Sequence, residues 1–151
     1  IGTWPHSPLL PTLILAVMAI ESGFNPFAQS PVGAQGLMQV MTKIHSDKYA
    51  GFGGTLAAFD PVSNLRVGVK VLQDCVARAG SIEGGLKLYV GAGNLESDGG
   101  YTAKVLAEHN RLLMVSLGRS APPTAPRMIP VKQPDPVPAA APEVVVSYLS
   151  S

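Results

Sequence analysis

Residues 11–23 read Pro-Thr-Leu-Ile-Leu-Ala-Val-Met-Ala-Ile-Glu-Ser-Gly, an apolar run that opens on a proline, closes on a glycine and carries one charge, Glu21, near its end. Proline suits the first turn of a helix, where its missing N–H is no loss, and glycine supplies the left-handed residue that stops one. The apolar stretch Thr12–Ile20 falls well short of the roughly twenty residues that span a bilayer. It has neither the basic residues before it nor the small-x-small site after it that a secretory signal shows. It is read as a buried helix, which sets Glu21 where an apolar wall ends.

Outward from that helix, Asn25–Gln35 carries Pro26, Pro31 and Gly33 and reads as a loop. Leu37, Met38, Val40, Met41 and Ile44 fit a second helix, which Gly51–Gly54 interrupts. Asp60-Pro61 is a helix start, with Asp as cap and Pro at the first helical position. The helix it opens carries Val62, Leu65, Val69, Leu72 and Val76 and stops at Gly80. Ser81 caps a short helix through Tyr89, the glycine-rich Gly91–Gly100 follows, and a last helix runs from Tyr101 to Ser116 with Val105, Leu106, Leu112 and Leu113. Sustained apolar/polar alternation is missing, and the best strand-like run is Val144–Val146, so the expected fold class is all-α.

Composition divides the chain at about residue 118. All sixteen glycines lie at or before Gly118, and eight of the fourteen prolines follow Arg119. Residues 1–118 are expected to form one domain, and the Pro/Ala-rich residues 119–151 a linker or disordered tail. Up to Gly118 eight acidic residues balance eight Lys and Arg, a neutrality that gives no nucleic-acid footprint. Cys75 is the single cysteine, which excludes an intrachain disulfide and a multi-cysteine metal site. It flanks an apolar helical stripe, where a buried, inert thiol is the common case. His6, His45 and His109 lack metal-ligand spacing and read as surface residues. A thiol peptidase pairing Cys75 with His109 is therefore disfavoured.

Desolvation of Glu21 beside its apolar run would keep it protonated, and a neutral carboxylic acid is what a glycosidic oxygen needs as proton donor. Most glycosidases add a second carboxylate. Here Asp60 is better read as a cap, and Asp47, Asp74, Glu83, Glu96, Asp98 and Glu108 fall on helix surfaces or loops.

Three ordered blocks carry a resemblance: Glu21-Ser22-Gly23-Phe24-Asn25-Pro26; Gly33-Ala-Gln-Gly36-Leu37-Met38-Gln39-Val40; and Asp60-Pro61-Val-Ser-Asn64-Leu-Arg-Val-Gly68. From about Leu10 to Leu113 the chain resembles the catalytic domain of the soluble-type lytic transglycosylases, which share the goose-type lysozyme fold. The resemblance implies a lysozyme-like helical domain that cleaves peptidoglycan glycan strands, with Glu21 as single acid and base, the sugar's N-acetyl group assisting, and an anhydro-muramoyl product. It implies no cofactor and no metal, and a periplasmic or cell-envelope location.

The same resemblance makes Ser22 a partner of Glu21, although a polar residue ending a helix is an equal reading. Gln39 and Met38 resemble cleft residues that meet substrate, while for Met38 core packing is the commoner role of an apolar residue at such spacing. Asn64 matches a position suited to hydrogen bonding behind the site, and Gly36 one where loop and helix approach closely. Tyr89 matches a family tyrosine, but the asparagine that commonly follows it is Val90 here, with one amide hydrogen bond lost. Tyr101 resembles the late tyrosine that reaches back to the acid. A monomer is expected, with the tail a candidate link to an envelope, secretion or pilus assembly. A hydrolytic lysozyme on the same fold and a non-catalytic glycan-binding scaffold remain the alternatives.

Overall fold

The computed structural model describes residues 9–120, the Thr55 side chain excepted. His6, the Val144–Val146 run and nearly all of the 119–151 segment lie outside the described residues. Among the described residues five α-helices follow one another: α1 (Pro11–Ser22), α2 (Ser46–Tyr49), α3 (Pro61–Ala79), α4 (Ile82–Tyr89) and α5 (Tyr101–Ser116). Two 3-10 turns, Ala50–Phe52 and Thr55–Phe59, lead from α2 to α3. The fold is helical, with one small antiparallel hairpin, β1 (Ala34–Gln35) and β2 (Val40–Met41), in which Ala34 pairs with Met41 and Gln35 with Val40.

Helix α1 forms as its sequence dictates. Pro11 occupies its first turn, and Gly23, at φ 61, ends it with its N–H on the Ala19 carbonyl at 3.1 Å. Leu13, Ala16, Val17, Met18, Ala19 and Ile20 are all buried, so the helix is core on most of its circumference. Helix α5 packs along it, the start of α5 meeting the end of α1.

Helices α3 and α4 form the second packed pair. Asp60 caps α3 by accepting from Ser63 N–H at 2.9 Å and Ser63 Oγ at 2.8 Å, and Gly80 closes it at φ 79. Ser81 caps α4 through Gly84 N–H at 3.0 Å. The helices approach closely because Gly85 has no side chain, and a Cβ there would strike Val76. The buried stripe of α3 is Ser63, Asn64, Val67, Gly68, Val71, Leu72, Cys75 and Val76. That corrects the expected stripe: Val62 is exposed, and Leu65 and Val69 are only partly buried. Leu72 and Val76 are buried as expected, and the inward face adds Val67 and Val71 together with the small or polar Ser63, Asn64 and Gly68, which an apolar count overlooks.

The second correction concerns residues 37–44, which form a turn and a strand rather than a helix. Gly36 at φ 81 and Gln39 at φ 51 are both left-handed, a conformation that no α-helix propagates. A short buried apolar run has no periodicity that separates strand from helix. His45, expected at the surface, is 1% exposed; it follows this hairpin directly, its N–H bonded to Met41 O at 3.1 Å. His109 is partly buried.

Candidate active site

Glu21 occupies the last turn of α1 and is 1% exposed. A carboxyl group so placed requires polar partners, since burying it without them is costly. Tyr101, first residue of α5 and itself fully buried, donates its hydroxyl to Glu21 Oε2 at 2.8 Å. Burial first, and then the Glu21 carboxylate, push the Tyr101 phenol well above its usual range, so it keeps its proton and acts as the donor.

Two further buried tyrosines stand close by. Tyr89, from the end of α4, is pushed up by burial and next by the charge of Glu21. Its hydroxyl donates to the Met38 carbonyl at 2.8 Å. Tyr49, from α2, is raised by burial, against which the Asn64 amide, at 3.4 Å from its hydroxyl, acts. Tyr49 had no motif to announce it.

Asn64 is buried on the inner stripe of α3. Its Oδ1 accepts from Met38 N–H at 2.8 Å and its Nδ2 donates to Gln35 O at 2.9 Å, so α3 holds both ends of the hairpin turn. The close approach expected at Gly36 is real: a Cβ there would collide with the Asn64 amide and the Ala58 carbonyl. Met38 has no exposed surface, and its side chain lies over Gly68. Gln39 is 4% exposed, and its Nε2 donates to Ala28 O and Gly36 O, both at 3.0 Å. Ser22 Oγ donates to Met18 O at 3.1 Å, one turn back in its own helix. Val90 is buried at the end of α4.

The structure thus brings Glu21 and Tyr101 into contact, sets Tyr89 within the electrostatic reach of Glu21, and ties Tyr89, Met38 and Asn64 into one chain of bonds. Among the described residues no group of three or more His, Cys, Asp or Glu side chains is placed to hold a metal ion. Glu108, expected on a helix surface, is 5% exposed and forms a two-point pair with Arg111, at 3.1 and 2.8 Å. Cys75 is buried, as its position beside the stripe suggested.

A lysozyme-like helical domain with a buried glutamate near the end of its first described helix is the class that this fold and site define. It is similar to the crystal structure of the 70 kDa soluble lytic transglycosylase of Escherichia coli, with a TM-score of 0.61 at 21% identity over 74% of this chain and 23% of that one. The family model described as the transglycosylase SLT domain matches residues 6–108, and the chain belongs to that family. It is 30% identical to a transglycosylase of Enterobacteria phage PRD1 over 116 residues, which is 77% of this chain and 42% of the relative. To the type IV secretion system protein virB1 of Brucella abortus biovar 1 it is 33% identical over 93 residues, covering 46% of this chain and 39% of that protein. The chain therefore spans less than half the length of these relatives.

Proposed function

We propose that this chain is the catalytic domain of a peptidoglycan lytic transglycosylase, in which Glu21 acts as both acid and base. The observation that carries the reading is the Tyr101–Glu21 hydrogen bond at 2.8 Å in a buried site of an SLT-family domain. Protonated Glu21 gives its proton to the oxygen that links muramoyl C1 to the next sugar, and that bond breaks. The carbonyl of the muramoyl N-acetyl group stabilises the cationic C1 from within the substrate. Glu21, now a carboxylate, takes the proton of the muramoyl C6 hydroxyl, whose oxygen bonds to C1 and closes the 1,6-anhydro ring. The proton given equals the proton recovered, and no water is consumed.

Tyr101 orients the carboxyl and stabilises it as an anion by donating to Oε2. Ser22, Gln39, Met38 and Tyr89 frame the glycan site, with Asn64 behind them. Gln39 has both Nε2 hydrogens on protein carbonyls, so what it offers a sugar is its acceptor oxygen Oε1. The substrate is the peptidoglycan of the bacterial envelope, and the periplasm the working compartment; among the described residues no helix is long and apolar enough to cross a membrane. The tail from residue 119 links a monomeric domain of residues 1–118 to an envelope or secretion assembly, a role that the likeness to a type IV secretion protein supports.

Digestion of purified peptidoglycan by wild type and by Glu21→Gln, with mass spectrometry of the released muropeptides, tests the reading. Anhydro-muramoyl products that vanish in the variant support it. Reducing-end products replace it with a lysozyme, and an inert wild type that binds glycan replaces it with a binding module.

A further inference from the structure

Met38 lies in the turn between β1 and β2, and both of its backbone hydrogen-bonding groups are held by buried side chains from other elements. Asn64 of α3 accepts its N–H, and Tyr89 of α4 donates to its C=O, each at 2.8 Å. Asn64, Tyr89 and Met38 have no exposed surface. The next residue, Gln39, is held at φ 51, which side chains other than glycine avoid. Strands of two residues each are too short to impose that geometry alone. Gln39 N–H and Nε2 both bond Gly36 O within the turn, at 3.0 Å, and Asn64 and Tyr89 add the restraint from outside it; strained backbone so restrained is characteristic of functional sites. A phenol has one proton to donate, and that of Tyr89 goes to Met38.

We propose that Tyr89 and Asn64 are positioning residues that act through Met38: gripping its backbone from two sides, they lock the Gly36–Gln39 turn in the conformation that receives the glycan. This rests on the transglycosylase reading given above. Tyr89 serves the site through the Met38 carbonyl, and Tyr101 serves it through its bond to Glu21 Oε2.

The experiment measures steady-state kcat and KM of the full chain on uncrosslinked glycan strands, for wild type, Tyr89→Phe, Asn64→Ala and the double variant. Backbone amide NMR spectra of each are recorded alongside. Each single change is expected to raise KM about fivefold to twentyfold while kcat falls less than about threefold. The double variant should be little worse than the weaker single, because both residues act on one turn. The same amides, residues 36–40, should shift in both single variants. A Tyr89→Phe enzyme with unchanged KM and reduced kcat, or with wild-type kinetics, overturns the proposal, as do additive effects. Tyr89→Phe removes one oxygen atom and decides the matter alone should Asn64→Ala fail to fold. If wild type cleaves nothing, the transglycosylase reading fails by itself; calorimetric titration of the same strands and the amide shifts then judge the clamp, with undiminished binding by Tyr89→Phe rejecting it.

Discussion

Tyr101 at the first position of α5 and Glu21 in the last turn of α1 share a 2.8 Å hydrogen bond, so two helices that pack along each other also meet at a polar contact inside the core. The contact makes the junction of α1 and α5 both a structural seam and the proposed seat of catalysis. Tyr101→Phe keeps the ring and removes the donor. A hydrogen bond to a charged group contributes about 1.5–3 kcal/mol, so kcat is expected to fall roughly tenfold to a hundredfold. Muropeptide release by purified variant and wild type measures it; an undiminished rate would detach Tyr101 from the chemistry.

Glycine is required at position 36 for two reasons and at position 33 for one. Both have positive φ, 81 and 95, but a Cβ at Gly36 would collide with Asn64 and Ala58, whereas at Gly33 nothing lies within 4 Å. Gly33→Ala is expected to cost about 1–2 kcal/mol from backbone strain alone, and Gly36→Ala at least about 3 kcal/mol. Urea denaturation of the two variants gives the comparison, and equal losses would contradict the packing described for the turn.

Gly68 admits the Met38 side chain into α3, and a Cβ there would run into Met38 Sδ and Cβ. Gly68→Ala should therefore overpack the core by about 1–3 kcal/mol and displace the turn that Met38 belongs to. Thermal unfolding and glycan cleavage, measured on one preparation, are expected to decline together. A destabilised enzyme with a wild-type KM would show that the turn tolerates movement.

The Ser63 N–H, followed by the Ser63 hydroxyl, holds the Asp60 carboxyl below its usual value of 3.8. A depressed folded-state value contributes stability that is fully present above the unfolded value and disappears as pH falls through the folded one. Unfolding free energies of wild type and Asp60→Asn, measured by urea from pH 7 downward, should differ by a constant amount until about pH 5. That difference should then shrink. A difference that grew on acidification would have the wrong sign for a carboxylate cap.

Helix boundaries were legible where chemistry punctuates the chain. Pro11 and Gly23, Asp60-Pro61 and Gly80, and Ser81 each mark an end by a local rule, and each end is where that rule puts it. Glu21 and Tyr101 were legible through family motifs, and the bond between them spans eighty positions that no periodicity connects. The hairpin at 34–41 was illegible because its turn bonds to Asn64 and Tyr89, residues far along the chain, as well as to its own neighbours. Burial of His45 and Glu108 escaped for a related reason. A polar residue is assigned to the surface until a partner is known, and for Glu108 that partner, Arg111, lies three residues on in a helix whose apolar face looked complete without it.

The burial of most of α1 has a consequence for how this protein fails. The proposed acid, Glu21, sits on no loop or lid but on a helix whose residues from Ala16 to Ser22 are all buried. Fluctuations that would tilt the carboxyl require the interior to open, and such openings belong to the global transition rather than to local fraying. Heat inactivation should follow the unfolding curve degree for degree, with no temperature window in which a folded population has lost its chemistry. Tolerance of the proposed cleavage step to stress is in that sense inherited directly from the melting temperature of the fold.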